Sequence, residues 1–278
     1  MKGILLAGPH ATHRLPLFLD EEPVRQAANL GMVCDFSLAV LLQAGVRDIQ
    51  LVAPAERLAM LQAEYGDGKH MGLSLHYQTQ SNDFVEQVER LEAWLACQSV
   101  AVVQGEVLLA GEALQKQLRA ALRSHGASAL VYAVPGKVAG EGGAARRASV
   151  AWCGVSFFDT RFVEWVRQLA PAAVPDALRE LYGLYLQDGS LQVLLLNPEV
   201  VCLDGSTSEA LLATSLFVQA WEQATGRKLV CLEEIALQQG FVDAAAWEQL
   251  IRKVCCPQKR RYLQRIGRER AQQGRRAA

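Results

Sequence analysis

The sequence predicts an α/β fold: a mostly parallel, Rossmann-like mixed sheet flanked by helices, with a C-terminal helical region. Three observations carry this. Short apolar runs alternate with amphipathic helical patterns through the first 205 residues. Those runs are continuously apolar, as strands covered on both faces are, instead of alternating with polar residues. Beyond residue 206 the helical period continues without another strand.

Lys2–Ala7 (KGILLA) is the opening strand, and residues 29–45 form a long apolar helix that stops at Gly45 in the C′ position. A strand at 48–54 and a helix at 56–68 follow, the helix closed by Gly66-Asp67-Gly68. Strands at 73–78 and 100–105 bracket a helix at 83–97, and a helix at 112–126 leads into a strand at 127–134. Residues 135–149 (PGKVAGEGGAARRAS) carry small turn residues and no apolar period, so they read as a loop. A strand at 150–159 precedes helices at 160–170 and 174–186. Two short strand patterns, 188–196 and 199–207, come next, the second ending at Asp204. Helices are expected at 206–224, 231–239, 243–254 and 258–272. The chain divides into an α/β unit (1–205), a helical region packed on it (206–258) and a basic tail (259–278).

With 278 residues, 51% of them hydrophobic and 21% charged, the chain can bury a large core. No apolar run reaches the ~18 residues of a membrane span, and the opening strand makes a poor signal peptide. Seven cysteines without a CxxC spacing fit reduced thiols. A cytoplasmic protein without a membrane partner is the expectation. The adjacent pair Cys255-Cys256 lacks the further Cys or His that a metal site needs. From Lys259 to Arg276 there are eight basic residues and one acidic one, Glu269, against a net charge of −1 for the whole chain. This stretch has no stacking aromatic beyond Tyr262, so it reads as a solvated helix end, and nucleic acid is not an expected partner.

In such a fold the ligand crevice lies beyond the C-terminal ends of the strands. Gly8, Gln80 and Gly105 stand at such ends. A strand running into Gly8 commonly feeds a phosphate loop, where backbone N–H groups approach the phosphates. Here the loop reads Pro9-His10-Ala11-Thr12-His13-Arg14, and Pro9 has no N–H to offer.

The order of parts resembles the bacterial glucose-1-phosphate thymidylyltransferases, members of the sugar nucleotidyltransferase family. MKGILLAG is similar to their opening strand, LLQAGVRDIQLVAP to their second helix and strand, and YGDGKHMGLSLHYQTQ to their Gly-Asp-Gly turn and following strand. The stretch from Cys202 to Leu250 is similar to their C-terminal helices. The resemblance implies transfer of a nucleotidyl group from a nucleoside triphosphate to a sugar 1-phosphate, assisted by Mg²⁺. It also implies a homo-oligomer, dimer or tetramer, with a sugar-phosphate or nucleotide ligand.

The family's active parts are kept unevenly. Its phosphate loop, Gly-Gly-x-Gly-Thr-Arg-Leu, retains Gly8 and Thr12 here, while Pro9, Ala11 and His13 replace the second glycine, third glycine and arginine, with Arg14 one residue on. Its Ser-Lys-Gln segment falls on Glu22-Pro23-Val24, so the lysine is lost, and Arg25 is the nearest cation. The two metal-binding aspartates fall on Glu106 and Asp204. Gln80 matches the glutamine that reads the base, and Phe84 is expected to fill the base pocket. The sugar-contact motif Glu-x-Lys-Pro has no counterpart between 134 and 150, where only Lys137 and Glu141 offer themselves.

A vestigial nucleotide site (Gly8, Thr12, His13, Gln80, Gly105) with metal positions Glu106 and Asp204 is therefore expected. The implied protein is a catalytically impaired, degenerate member acting as a binding or partner protein in sugar-nucleotide or polysaccharide metabolism. The alternatives are an active Mg²⁺-dependent enzyme with a phosphate site rebuilt around Arg14 and Arg25, and a module that binds sugar phosphate without turnover.

Overall fold

A computed structural model describes residues 1–8, 32–105, 107–123, 125–134, 149–205 and 207–277. The strands are β1 (Lys2–Leu6), β2 (Asp48–Ala53), β3 (Ser74–Thr79), β4 (Val100–Gln104), β5 (Val107–Ala110), β6 (Ala127–Val134), β7 (Ser149–Phe158), β8 (Leu191–Leu195) and β9 (Val201–Asp204). They form a sheet in the order β3-β2-β1-β4-β7-β6-β8 and a separate ribbon of β5 with β9. Within the sheet only β7 runs antiparallel to its neighbours; the remaining pairs are parallel. The mostly parallel α/β architecture expected from the sequence is what forms.

Both faces of the sheet are covered, which is why the strands read as unbroken apolar runs. On β1, Leu5 joins one core and Ile4 and Leu6 join the other. The first core is covered by α1 (Val33–Gln43), α2 (Ala55–Tyr65) and α5 (Glu112–Ala121), with α9 (Leu232–Gln238), α10 (Ala244–Lys253) and α11 (Pro257–Ala277) from the C-terminal region. The second is covered by α3 (Phe84–Glu89), α4 (Glu92–Leu95), α6 (Phe162–Val166) and α7 (Val174–Gln187). Nearly every residue of α1 is buried, because Val33 and Phe36 also meet β5 and α8 (Ser208–Thr225) on its remaining side. A helix enclosed all round needs no polar face.

Several elements differ from the sequence reading. The single helix expected at 83–97 is two short ones separated at Arg90–Leu91, although Val88, Leu91 and Leu95 all still face the core. It ends where Ala96 and Cys97 take left-handed backbone at φ 48° and 55°. The helix expected at 160–170 is confined to Phe162–Val166. Val107–Ala110, not expected as a strand, pairs with β9. The basic stretch lies on α11, whose Leu263 and Ile266 are buried while Arg261, Arg268 and Arg270 face solvent. The loop expected at 135–149 lies outside the described residues except for Ser149, which opens β7 by pairing with Val134. Among the described residues no helix is long and apolar enough to cross a membrane.

One glycine joins the α/β unit to the helical region. Gly72 has φ +71°, and a Cβ there would stand 2.3 Å from the Phe241 carbonyl oxygen. Arg47 closes the same junction: its Nε donates to Gly72 O at 2.9 Å and its guanidinium lies 4.8 Å over the Phe241 ring.

Candidate functional site

β1 lies between two parallel neighbours, with β2 and β3 to one side and β4 to the other. The chain therefore leaves the two sides of β1 in opposite directions, and in open α/β sheets it is at such a point, beyond the C-terminal strand ends, that ligands bind. Backbone hydrogen bonds carry the sheet past its regular ends there. Ala7 N donates to Val52 O, Gly105 N to Leu6 O and Gln80 N to Ala53 O, each at 2.8 Å. These bonds fix Gly8 and Gly105 at adjacent strand ends. Gln80 is exposed on the same edge, two strand spacings or roughly 10 Å from β1.

α1 sets the floor of this edge. Ser37, buried on α1, donates its hydroxyl to Gln104 O at 2.9 Å, tying the helix to the last residue of β4. Next to β4 the chain turns into β5, and Val107 pairs with Asp204 at the end of β9. Glu106, between Gly105 and Val107 in the sequence, lies outside the described residues, as do Thr12, His13, Arg14, Arg25, Lys137 and Glu141. Two positions carrying carboxylates thus adjoin one antiparallel pair. Carboxylate oxygens are the hard donors that Mg²⁺ takes, so this donor set fits such a cation. Among the described residues no cluster of three His, Cys, Asp or Glu side chains forms a metal site.

Phe84 does not line an open base pocket. It is fully buried, its N–H donates to Ala172 O at 2.9 Å, and its ring meets Phe162 edge-on at 6.4 Å. The ring belongs to the core beneath α3 and α6 because Asp83, which accepts from Val85 N at 3.0 Å, starts a helix at this point and turns Phe84 inward.

Sequence reasoning missed a polar pair at the start of α1. Asp35 Oδ2 accepts from Met32 N at 3.0 Å, capping the first turn of α1, and Asp35 Oδ1 accepts from the Tyr65 hydroxyl at 2.6 Å. Burial pushes the Asp35 carboxyl up to about 6, against the pull of the Tyr65 hydrogen bond and the Lys259 charge. Burial likewise raises the Tyr65 hydroxyl and the Cys34 thiol. The available signal was an Asp three residues into an otherwise apolar helix, where a free acid would have no partner.

No protein-family model matches the chain. It is 30% identical to the glucose-1-phosphate thymidylyltransferase of Neisseria meningitidis serogroup A over 285 residues, covering 96% of this chain and 99% of the relative. It is 31% identical to that of Neisseria gonorrhoeae, covering 87% of this chain and 91% of the relative. Against the Mycobacterium tuberculosis enzyme identity is 28%, with 91% and 93% covered. Among solved structures, a Bacillus anthracis chain provisionally described as a glucose-1-phosphate thymidylyltransferase, in complex with sucrose, superposes with a TM-score of 0.58. That match has 16% identity, covers 78% of this chain and 95% of the other, and speaks for the fold alone. Near-complete coverage at 30% identity, on a mostly parallel α/β sheet, means that this chain belongs to the glucose-1-phosphate thymidylyltransferase family.

Proposed function

We propose that this chain is a catalytically impaired member of its family, acting as a binding or partner protein in sugar-nucleotide or polysaccharide metabolism. One observation carries the reading: Glu22-Pro23-Val24 stands where the resemblance calls for Ser-Lys-Gln. Nucleotidyl transfer needs the sugar phosphate oxygen to attack the α-phosphorus while pyrophosphate leaves. The protein's part is to position these groups and neutralise their charge. Pro9 offers no N–H, Pro23 offers no ammonium, and Asp20-Glu21-Glu22 adds negative charge beside a triphosphate. Removing one such donor typically costs about 10²–10³ in rate.

Mg²⁺, held by Asp204 and Glu106, would supply charge neutralisation. The pairing of Val107 with Asp204 favours a second reading, an active enzyme with a rebuilt phosphate site using Arg14 and Arg25. A pyrophosphate-release assay with glucose 1-phosphate, Mg²⁺ and each common nucleoside triphosphate separates the two. No turnover is expected, and turnover near ~1 s⁻¹, ordinary for an enzyme, would establish the second. Calorimetric titration with deoxythymidine triphosphate and Mg²⁺ then tells a silent binder from a protein that has lost the nucleotide altogether.

A further inference from the structure

The seven-stranded sheet has two edges, and they are built differently. β3 closes one: its exposed residues Ser74, His76 and Thr79 are polar, and His76 reaches Asp48 at 3.1 Å. β8 closes the other, and among the described residues no strand lies beyond it. It reads Leu-Gln-Val-Leu-Leu and pairs with β6 without a bulge. Charge, proline and bulges are the devices by which sheet edges ordinarily turn away a further strand, and β8 carries none of them.

The bonds to β6 show which backbone groups of β8 point outward. Ala127 N donates to Ser190 O at 2.9 Å, and Leu196 N donates to Val131 O at 2.7 Å. Backbone groups of successive strand residues turn to opposite sides. Ser190, Gln192, Leu194 and Leu196 therefore face β6, while Leu191, Val193 and Leu195 turn their N–H and C=O to the open side. Gln117 Nε2, from α5, donates to Leu195 O at 3.0 Å, and a carbonyl oxygen that accepts once keeps a second lone pair.

The side chains of the same three residues share one face. Leu191 packs on the core beneath α7, but Val193 and Leu195 are 57% and 56% exposed. An open row of N–H and C=O groups thus runs beside an open row of apolar side chains.

We propose that β8 is a two-fold interface: a second copy of this chain pairs its own β8 antiparallel to this one, with Val193 on the axis, and two seven-stranded sheets become one. In that register Val193 faces Val193 and Leu191 faces Leu195, each pair exchanging N–H···O bonds. Directly opposite residues of an antiparallel pair project to the same face, so Val193 and Leu195 of each copy meet Val193 and Leu191 of the other. Every outward position finds an apolar side chain and no charge meets its like, which favours a second copy over a strand of unrelated sequence. The pairing holds whether or not nucleotidyl transfer survives.

Sedimentation velocity of the full chain at micromolar concentration tests it. Wild type should sediment at no less than twice the 30.4 kDa chain mass. Val193→Lys sets two like charges opposite each other, and Val193→Pro removes the outward N–H without touching a bond to β6. Each should halve the wild-type mass and leave the far-ultraviolet circular dichroism unchanged. Val193→Cys, oxidised with copper phenanthroline, should link two copies through that position, at the roughly 5.5 Å Cα separation of a hydrogen-bonded pair. Gln192→Cys, opposite Leu194 and not its own mate, should link no better than wild type. Should Val193→Pro fail to fold, Val193→Lys decides, because that side chain already stands in solvent in the single chain. Equal masses for wild type and Val193→Lys would overturn the proposal, whether the edge is bare or takes a strand from another protein. So would a Val193→Cys chain that links no better than wild type.

Discussion

Phe84 shows at the scale of one residue how a motif position and a core position can be confused. In the resemblance it falls where the family keeps a small residue near the base. In the structure its ring is enclosed with Phe162 and Phe158. Phe84→Ala should therefore not open a nucleotide pocket. It should destabilise the fold by about 3–5 kcal/mol, as truncating an enclosed aromatic does, measured by urea unfolding, with no gain in triphosphate binding by calorimetry. Gly8 and Gly105 were legible as strand-end residues, because a run of apolar residues ending in glycine predicts both the strand and where it stops. Asp35 was not, because its partner Tyr65 stands thirty residues on, at the end of α2, and no local pattern announces a tertiary neighbour.

At the scale of elements, helices with a clear polar face were legible from their period, and the central parallel strands from unbroken apolar runs. β5 escaped because four apolar residues after a turn carry no period, and its partner β9 lies far along the chain. The split of α3 from α4 escaped because Val88, Leu91 and Leu95 keep a helical spacing across the break. α11 illustrates how a helix rich in charge is held. Leu263 and Ile266 are buried, and Tyr262, which donates to Glu234, accepts from Lys228 N at 3.1 Å. Glu233→Gln should weaken this docking by leaving Lys259 without its carboxylate. Because Lys259 keeps 41% of its side chain in solvent, the loss should be about 1–2 kcal/mol, below the 3–5 of a fully enclosed pair. Its pH dependence has a definite sign. Glu233 is held below its ordinary value of 4.5, so its contribution is complete above that pH and fades as pH falls further. The gap between wild type and variant in thermal midpoint should be full at pH 7 and shrink below pH 4.5.

The molecule as a whole presents apolar surface that its own described residues do not cover. On α8, Leu212 and Leu216 are about half exposed, and Trp221 stands beside Phe217 at 6.3 Å between ring centres. These positions follow one another along one side of the helix, on a region that the resemblance associates with subunit contacts. A homo-oligomer is the expected state, with light scattering at micromolar concentration giving at least twice the 30.4 kDa chain mass. Leu216→Glu should shift the particle toward the monomer. A single 30 kDa species for the wild type would remove this reading.

The β5–β9 ribbon has a consequence for the order of assembly. Its strands are separated in the chain by three of the seven sheet strands, β6, β7 and β8, and by the whole of α5, α6 and α7. A nascent chain can pair β1, β2, β3 and β4 as each emerges, but it cannot close the ribbon until Val201–Asp204 has been made. Closing so long a loop is repaid only when the contacts at its end form. The two ends of this ribbon therefore meet late in synthesis, and a chain released before Val201 would carry paired sheet strands with β5 still lacking its partner.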